Sequence, residues 1–307
     1  MSNRKINSKW DILFPLIGFL AFLMVVSFMI TLIVDIFIDG FEKIKDPSFY
    51  NSYPSRFPDK AGILSGWVGT LLVMAGAIFW SLLIGIPAGI YLEEYATKRG
   101  LIGKIETIIE LNINNLAAVP AIIYGLLALG IFVYRFKLGE SILTAGLTLS
   151  ILMLPVIVVN TREAIRRIPR DIREGAYAVG ATKWDTVRDH ILPYSLGGIL
   201  TGLIIAASRA IGETAPLVTI GALTFIAFLP PSPFISEFPY ISPEKIWEAL
   251  MSPFTVLPIQ IFNWVSRPQA AFQINAAAAG FVLLILTVLM NALAYYFRQK
   301  VRRKYIW

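Results

Sequence analysis

Cysteine is absent from all 307 residues, which removes thiol catalysis, thiolate metal sites and disulfides together. Histidine occurs once, at His190, and the acids are dispersed. A membrane-embedded enzyme would need these groups clustered. Beside Asp189, His190 reads as an ordinary interfacial residue with no catalytic role. A phosphate loop is missing too. The one Gly-Lys pair, Gly103-Lys104, is followed by Ile105, and Lys98 stands where the motif's first glycine belongs. Charge is also scarce, at 15% of residues against roughly 25% in soluble domains, and soluble enzymes, secreted disulfide scaffolds and DNA-binding domains are excluded with it.

What is present is apolar: 56% of residues, with mean hydropathy +0.68. Charge-free runs cover 12–34, 61–92, 111–134, 141–161, 190–208, 214–236 and 268–297, each close to the roughly 20 residues that a spanning helix needs. The first is too long for a signal peptide and no small-residue cleavage site follows it, so it reads as a retained span. Only Arg209 to Glu213 separates the fifth and sixth runs. They read as one broken element, or as a span plus a re-entrant piece. The sequence therefore predicts an all-α polytopic membrane protein with about six transmembrane helices, near 12–34, 64–92, 108–134, 141–161, 195–229 and 271–297. The fifth is interrupted near Ala215-Pro216, since proline lacks the helix donor and disfavours helix just before it.

Positive charge orients the bundle. Segments 1–11, 93–110, 161–194 and 298–307 carry 18 Lys and Arg, whereas 35–62, 135–140 and 230–271 carry 8. Both termini are thus expected in the cytoplasm, as an even number of spans requires. The net charge of +7 follows from this topology, and no nucleic-acid partner is inferred from it. Three regions result: 1–63, with the N-terminal arm, first span and external loop; 64–297, the core; and 298–307, a basic cytoplasmic tail. Residues 35–62 read as a plain hydrophilic connection. The external loop 230–270, with eight prolines, Trp247 and Trp264, reads as ordered, because proline limits chain freedom and tryptophan favours the interface. Gly76, Gly85 and Gly89, with Ala88, provide the second span with small faces for close packing. Asn112, Asn114 and Asn115 read as cross-helix hydrogen-bonding groups, or as residues lining a path.

The cytoplasmic loop 161–194 has helical patterning in both halves. Ile172, Ala176 and Val179 share a face before Gly180, and Thr182 with Asp185 has capping-box spacing. It reads as helix, glycine turn and second helix, closed by Pro193. Glu174-Gly175-Ala176, Gly180 and Leu192-Pro193 resemble the Glu-Ala-Ala…Gly…Leu-Pro motif of binding-protein-dependent ABC transporter permeases. Gly175 replaces the usual alanine, at about 1 kcal/mol of helix propensity, and His190 replaces the usual isoleucine. The resemblance implies that Glu174, Gly175, Ala176, Gly180, Leu192 and Pro193 form the element that couples to a cytoplasmic ATPase subunit.

Arg209 and Glu213 stand four residues apart within an apolar stretch, on one helix face. An arginine at mid-bilayer costs roughly 2.5–3.5 kcal/mol on insertion scales, so Arg209 should face a bundle interior or a wet path. Two readings stay open at this point. The pair neutralises itself and locks packing, or arginine's planar fork meets a tetrahedral oxyanion while the acid keeps it from binding too tightly. Free amides at the break would help hold the anion.

The octet Arg209-Ala-Ile-Gly-Glu-Thr-Ala-Pro216 is similar to that of phosphate ABC transporter permeases of PstA type, and so are Asn115–Leu126 and Leu257–Trp264. Similarity covers about residues 64–297. It implies an ABC importer type I permease-like fold and import of inorganic phosphate across the cytoplasmic (inner) membrane of a bacterium or archaeon. Arg209, Glu213 and Thr214 would then line the translocation path. The implied partners are a PstC-type permease, a PstB-type ATPase dimer and an external PstS-type phosphate-binding protein. No cofactor is expected on this chain, with ATP on the partner subunit. Another oxyanion, sulfate or molybdate, or ATP-independent secondary transport, are the alternatives.

Overall fold

A computed structural model describes residues 9–97, 99–223, 225–232 and 242–304. Among these the chain is helical almost throughout, as every backbone polar group in lipid must be paired internally. Helix α1 spans Lys9–Ile44, α2 Pro47–Asn51 and α3 Leu64–Ile90, which runs on through a π-turn at Tyr91–Tyr95. Then come α4 (Gly100–Leu116), α5 (Ala121–Ala128, continued by a π-turn over Leu129–Arg135) and α6 (Ile142–Arg166). Short α7 (Arg170–Ala178) and α8 (Lys183–Asp185) lead by a π-turn, Thr186–Ile191, into α9 (Leu192–Ala210). Helices α10 (Ala215–Thr219), α11 (Pro243–Leu250), α12 (Leu257–Val265) and α13 (Ala270–Lys304) complete the chain.

Among the described residues, five helical stretches are long and apolar enough to cross a bilayer: Leu13–Ile44, Leu64–Tyr95, Ile142–Arg166, Lys183–Ala210 and Ala270–Arg303. The crossing expected at 108–134 is divided. Helix α4 stops at Leu116, and Pro120 caps α5 in extended geometry. Hydropathy is unbroken there, but Pro120 has no N–H to continue the ladder. Asn112 donates to the Ile108 carbonyl of its own helix at 2.8 Å and makes no bond to another helix among the described residues. The Asn114 side chain lies outside the described residues.

The core is the contact of α3, α6 and α9 around Ala77, Leu149, Met153, Ile157, Leu203 and Ala206. Small residues allow it. A Cβ on Gly146 would stand 3.3 Å from the Gly76 backbone, and one on Gly85 would meet Ile157 at 2.8 Å. The close-packing face expected on the second span is therefore present. With no hydrophobic force between helices in lipid, such close contact is the main source of association.

Helix α1 packs antiparallel on α13, with Phe37 against Phe281 and Gly40 against Ala278. The start of α1 thus lies at the same end of the bundle as the end of α13 and loop 161–194. Residues 35–44 extend α1 rather than forming a hydrophilic connection, and α2 buries Phe49 beside Trp264. Residues 298–304 likewise continue α13. At the opposite end the expected order in 230–270 takes the form of α11 and α12, with Trp264 buried. Gln260 donates to the Gly62 carbonyl at 2.7 Å and Ser65 to the Ile226 carbonyl at 2.9 Å. Residues 233–241 lie outside the described residues.

Candidate functional site: a broken helix and a glycine-turned loop

Helix α9 ends one residue after Arg209, and the break falls at Ile211–Thr214, earlier than Ala215-Pro216. Pro216 sits in the first turn of α10, where its missing N–H is harmless. The flexible Gly212 and the α10 capping position at Thr214 interrupt the helix instead. Beyond α10 the described residues to 232 are irregular, so among the described residues the expected span 195–229 is helical only to Ala210 and over Ala215–Thr219. Of the amides expected to be free after Glu213, those of Leu217 and Val218 donate to the Thr214 carbonyl, whereas those of Thr214 and Ala215 make no hydrogen bond among the described residues. Helix α5 presses on α10 at Gly125, where a Cβ would stand 2.6 Å from the Pro216 carbonyl oxygen. Only a residue without a side chain allows that approach.

Arg209 Nε lies 3.5 Å from Glu213 Oε1, with the arginine side chain 49% exposed and the glutamate 21%. Among the described residues its terminal guanidinium nitrogens make no hydrogen bond. Tyr124 of α5 anchors the other break by donating to the Leu116 carbonyl at 2.5 Å. The two interrupted helices thus meet where α5 packs on α10, a few residues past Arg209. Thr214, the third expected path residue, is half-buried and caps α10 through its carbonyl.

A packing lock looks different in this molecule. Arg166 grips Glu93 in a fork, Nε to Oε1 at 2.9 Å and the terminal nitrogen to Oε2 at 2.8 Å. Arg162, almost buried, reaches Glu110 at 2.7 Å and Glu93 at 3.4 Å. Arg173 joins Glu94 at 2.7 Å and also donates to the Ile165 and Ile168 carbonyls. These pairs tie the end of α3 to α6 and α7. Sequence reasoning missed them, although Arg162 and Arg166 at helical spacing and the Glu93-Glu94 pair ending an apolar run were visible. Removing one partner of such a pair would strand a buried charge.

The pairs fasten the end of α6 and α7, which open loop 161–194, to the end of α3. Behind them, Ile165, Ile168, Val187 and Ile191 form a small core with Ile90, Tyr95 and Ile172. Helix α7 ends in a Schellman motif, with the Ala181 amide on the Ala176 carbonyl and the Gly180 amide on Tyr177. Gly180 has φ +88°, as the motif requires. The Thr182–Asp185 capping box is formed in both directions. Pro193 does not close the loop. The π-turn at 186–191 carries the helix past it, since a wider ladder absorbs the missing donor. Of the expected coupling residues, Glu174, Gly175 and Gly180 are exposed, Ala176 is buried, and Leu192 and Pro193 are partly buried at the foot of α9. Val179, expected to share a face with Ile172 and Ala176, is 83% exposed, with Tyr177 and Trp184 also open beside the turn. The tip therefore presents an apolar surface. His190 is exposed, and Asp189 pairs with Arg188 rather than with it.

Comparison with known proteins sets these features in context. The profile described as binding-protein-dependent transport system inner membrane component matches residues 85–303. The probable ABC transporter permease protein YqgI of Bacillus subtilis (strain 168) is 28% identical over 294 residues, 95% of each chain. The phosphate transport system permease protein PstA of Yersinia pestis is 33% identical over 227 residues, covering 71% of this chain and 67% of that one. In three dimensions the chain is similar to a chain of the inward-facing MetNI methionine ABC transporter, with TM-score 0.53 at 18% identity, over 77% of this chain and 94% of that one. At that identity the likeness is one of fold.

Proposed function

The chain belongs to the binding-protein-dependent transport system inner membrane components, and from that membership we propose that it is the PstA-type membrane subunit of an ATP-driven importer of inorganic phosphate. The relatives named as phosphate permeases support phosphate over sulfate or molybdate. The permease family membership disfavours ATP-independent transport. The partners in this reading are a PstC-type permease, a PstB-type ATPase dimer and an external PstS-type phosphate-binding protein, with ATP held by the ATPase.

One observation carries the path: the half-exposed Arg209 at the helix break, loosely held by Glu213 and offering its terminal nitrogens. Exposed to lipid it would be expensive, so its open side faces a wet passage, completed by the second permease. The guanidinium fork takes two oxygens of a tetrahedral anion. Glu213, already within reach, competes for the same group and speeds release, and Thr214 lies beside it. Loop 161–194 acts at the other end. Its apolar tip around Val179 enters a groove of the ATPase, and the Glu93 and Glu94 pairs transmit the push to α3 and α6.

Transport tests this reading. The four-component complex in proteoliposomes should import phosphate only with ATP and binding protein, and equimolar sulfate or molybdate should leave the rate within about twofold, because the binding protein selects the anion. ATP-independent import would sink the reading. Orientation is open to a clean test because the chain has no cysteine. In the proposed orientation, with both termini cytoplasmic, an impermeant thiol reagent added to whole cells should label Glu248→Cys and not Tyr177→Cys. The reverse pattern would invert the topology.

A further inference from the structure

At the loop end of the bundle, α6, α9 and α13 part around a recess of about 370 Å³. Glu163, Arg167, Gly197, Thr201, Arg298 and Arg302 lie on its walls. A second hollow of about 190 Å³ on the same turn of α13 is lined by Tyr295, Arg298, Gln299, Arg302 and Arg303. Arg298 and Arg302, one helical turn apart, border both. The first recess holds three arginines and one acid, and that acid is already engaged, with Glu163 3.5 Å from Arg167. Arg298 Nε is buried and has no hydrogen-bond partner among the described residues, while its guanidinium lies 5.9 Å from the Tyr295 ring. A buried donor without an acceptor is costly, and charged donors most of all. Among the described residues the protein supplies no acceptor for it.

We propose that this recess is a binding site for a phosphate-bearing anion, held by the paired forks of Arg298 and Arg302. Two guanidinium planes a turn apart suit the tetrahedral oxygens of a phosphoryl group. Basic recesses between spans at the cytoplasmic face take anionic headgroups. The site is separate from the path, because Arg209 lies eight residues beyond Thr201 along α9, about 12 Å. The same chemistry has two sources here: the phosphodiester head of an anionic phospholipid, or inorganic phosphate on the cytoplasmic side. In the first case the site ties α13 to the membrane surface. In the second it lets imported phosphate report its own concentration to the helices that carry the coupling loop.

The test uses the assembled complex with its permease and ATPase partners, delipidated in neutral detergent. Native mass spectrometry counts retained cardiolipin or phosphatidylglycerol, and equilibrium dialysis with radiolabelled inorganic phosphate counts phosphate. Arg298→Gln with Arg302→Gln should weaken one of the two ligands at least tenfold and remove one site per chain. Gly197→Leu, which keeps every charge and fills open space at the recess wall, should do the same. Lys104→Gln with Lys300→Gln removes equal charge outside the recess and should retain binding. Loss of lipid alone assigns the headgroup, and loss of phosphate alone assigns the free anion. If the arginine variant fails to assemble, Gly197→Leu decides. Undiminished binding of both ligands in the recess variants, or equal loss in the lysine control, would overturn the proposal.

Discussion

Arg209→Gln should reduce phosphate uptake by at least about 100-fold, as hydrogen bonds to charged groups are worth roughly 1.5–3 kcal/mol each and two are lost from the passing anion. Assembly should be little changed. With half its side chain open and its pairing to Glu213 stretched to 3.5 Å, Arg209 contributes little to packing, unlike Arg162, which is almost buried between Glu93 and Glu110. Arg209→Lys should rescue only part of the rate, since it restores charge and not the planar fork. Glu213→Gln should raise retention of the anion and slow its release. The double variant, Arg209→Gln with Glu213→Gln, separates the two roles. A mere neutralising pair would recover uptake once both charges are gone, whereas a path residue would not. Recovery in an assembled complex would therefore remove Arg209 from the path.

Gly180→Val should uncouple ATP hydrolysis from transport, lowering uptake at least about tenfold while the chain still inserts. The cause is conformational. A Cβ at residue 180 meets nothing within 4 Å, so no clash arises, but φ +88° is strained for a β-branched side chain by roughly 1–3 kcal/mol. Relief of that strain redirects the turn and, under the proposed function, swings Val179 and Tyr177 away from the ATPase groove. Gly180→Asn, which tolerates positive φ, should keep most of the activity. The measurement is ATPase rate against phosphate uptake in proteoliposomes. Wild-type coupling in the valine variant would show that the turn does not set the docking geometry.

Particular residues show how far the sequence reached. Charge-free runs placed the long helices, because transfer into lipid is a sum over residues and needs no knowledge of neighbours. The glycine turn at 180 and the Thr182–Asp185 box were equally legible, since both are decided within a few residues of chain. Gly76, Gly85 and Gly89 marked a packing face for the same reason. What the sequence by itself determined is therefore local: which segments are apolar, where the backbone must turn, and that an arginine and an acid share one helix turn. The tertiary structure alone decided the rest. Where α10 is seated after the break depends on α5 packing Gly125 against it, a contact across ninety residues. That the third crossing divides at Pro120, and that a π-turn carries Pro193, depends on whether a lost backbone bond is replaced nearby. Glu93 and Glu94 chose Arg166 and Arg173 as partners, more than seventy residues away. Charge pairing in three dimensions leaves no periodic trace along the chain. The loosely held, half-open guanidinium of Arg209 was settled in the same way, because what surrounds a charge is a property of packing and not of the residues beside it in sequence.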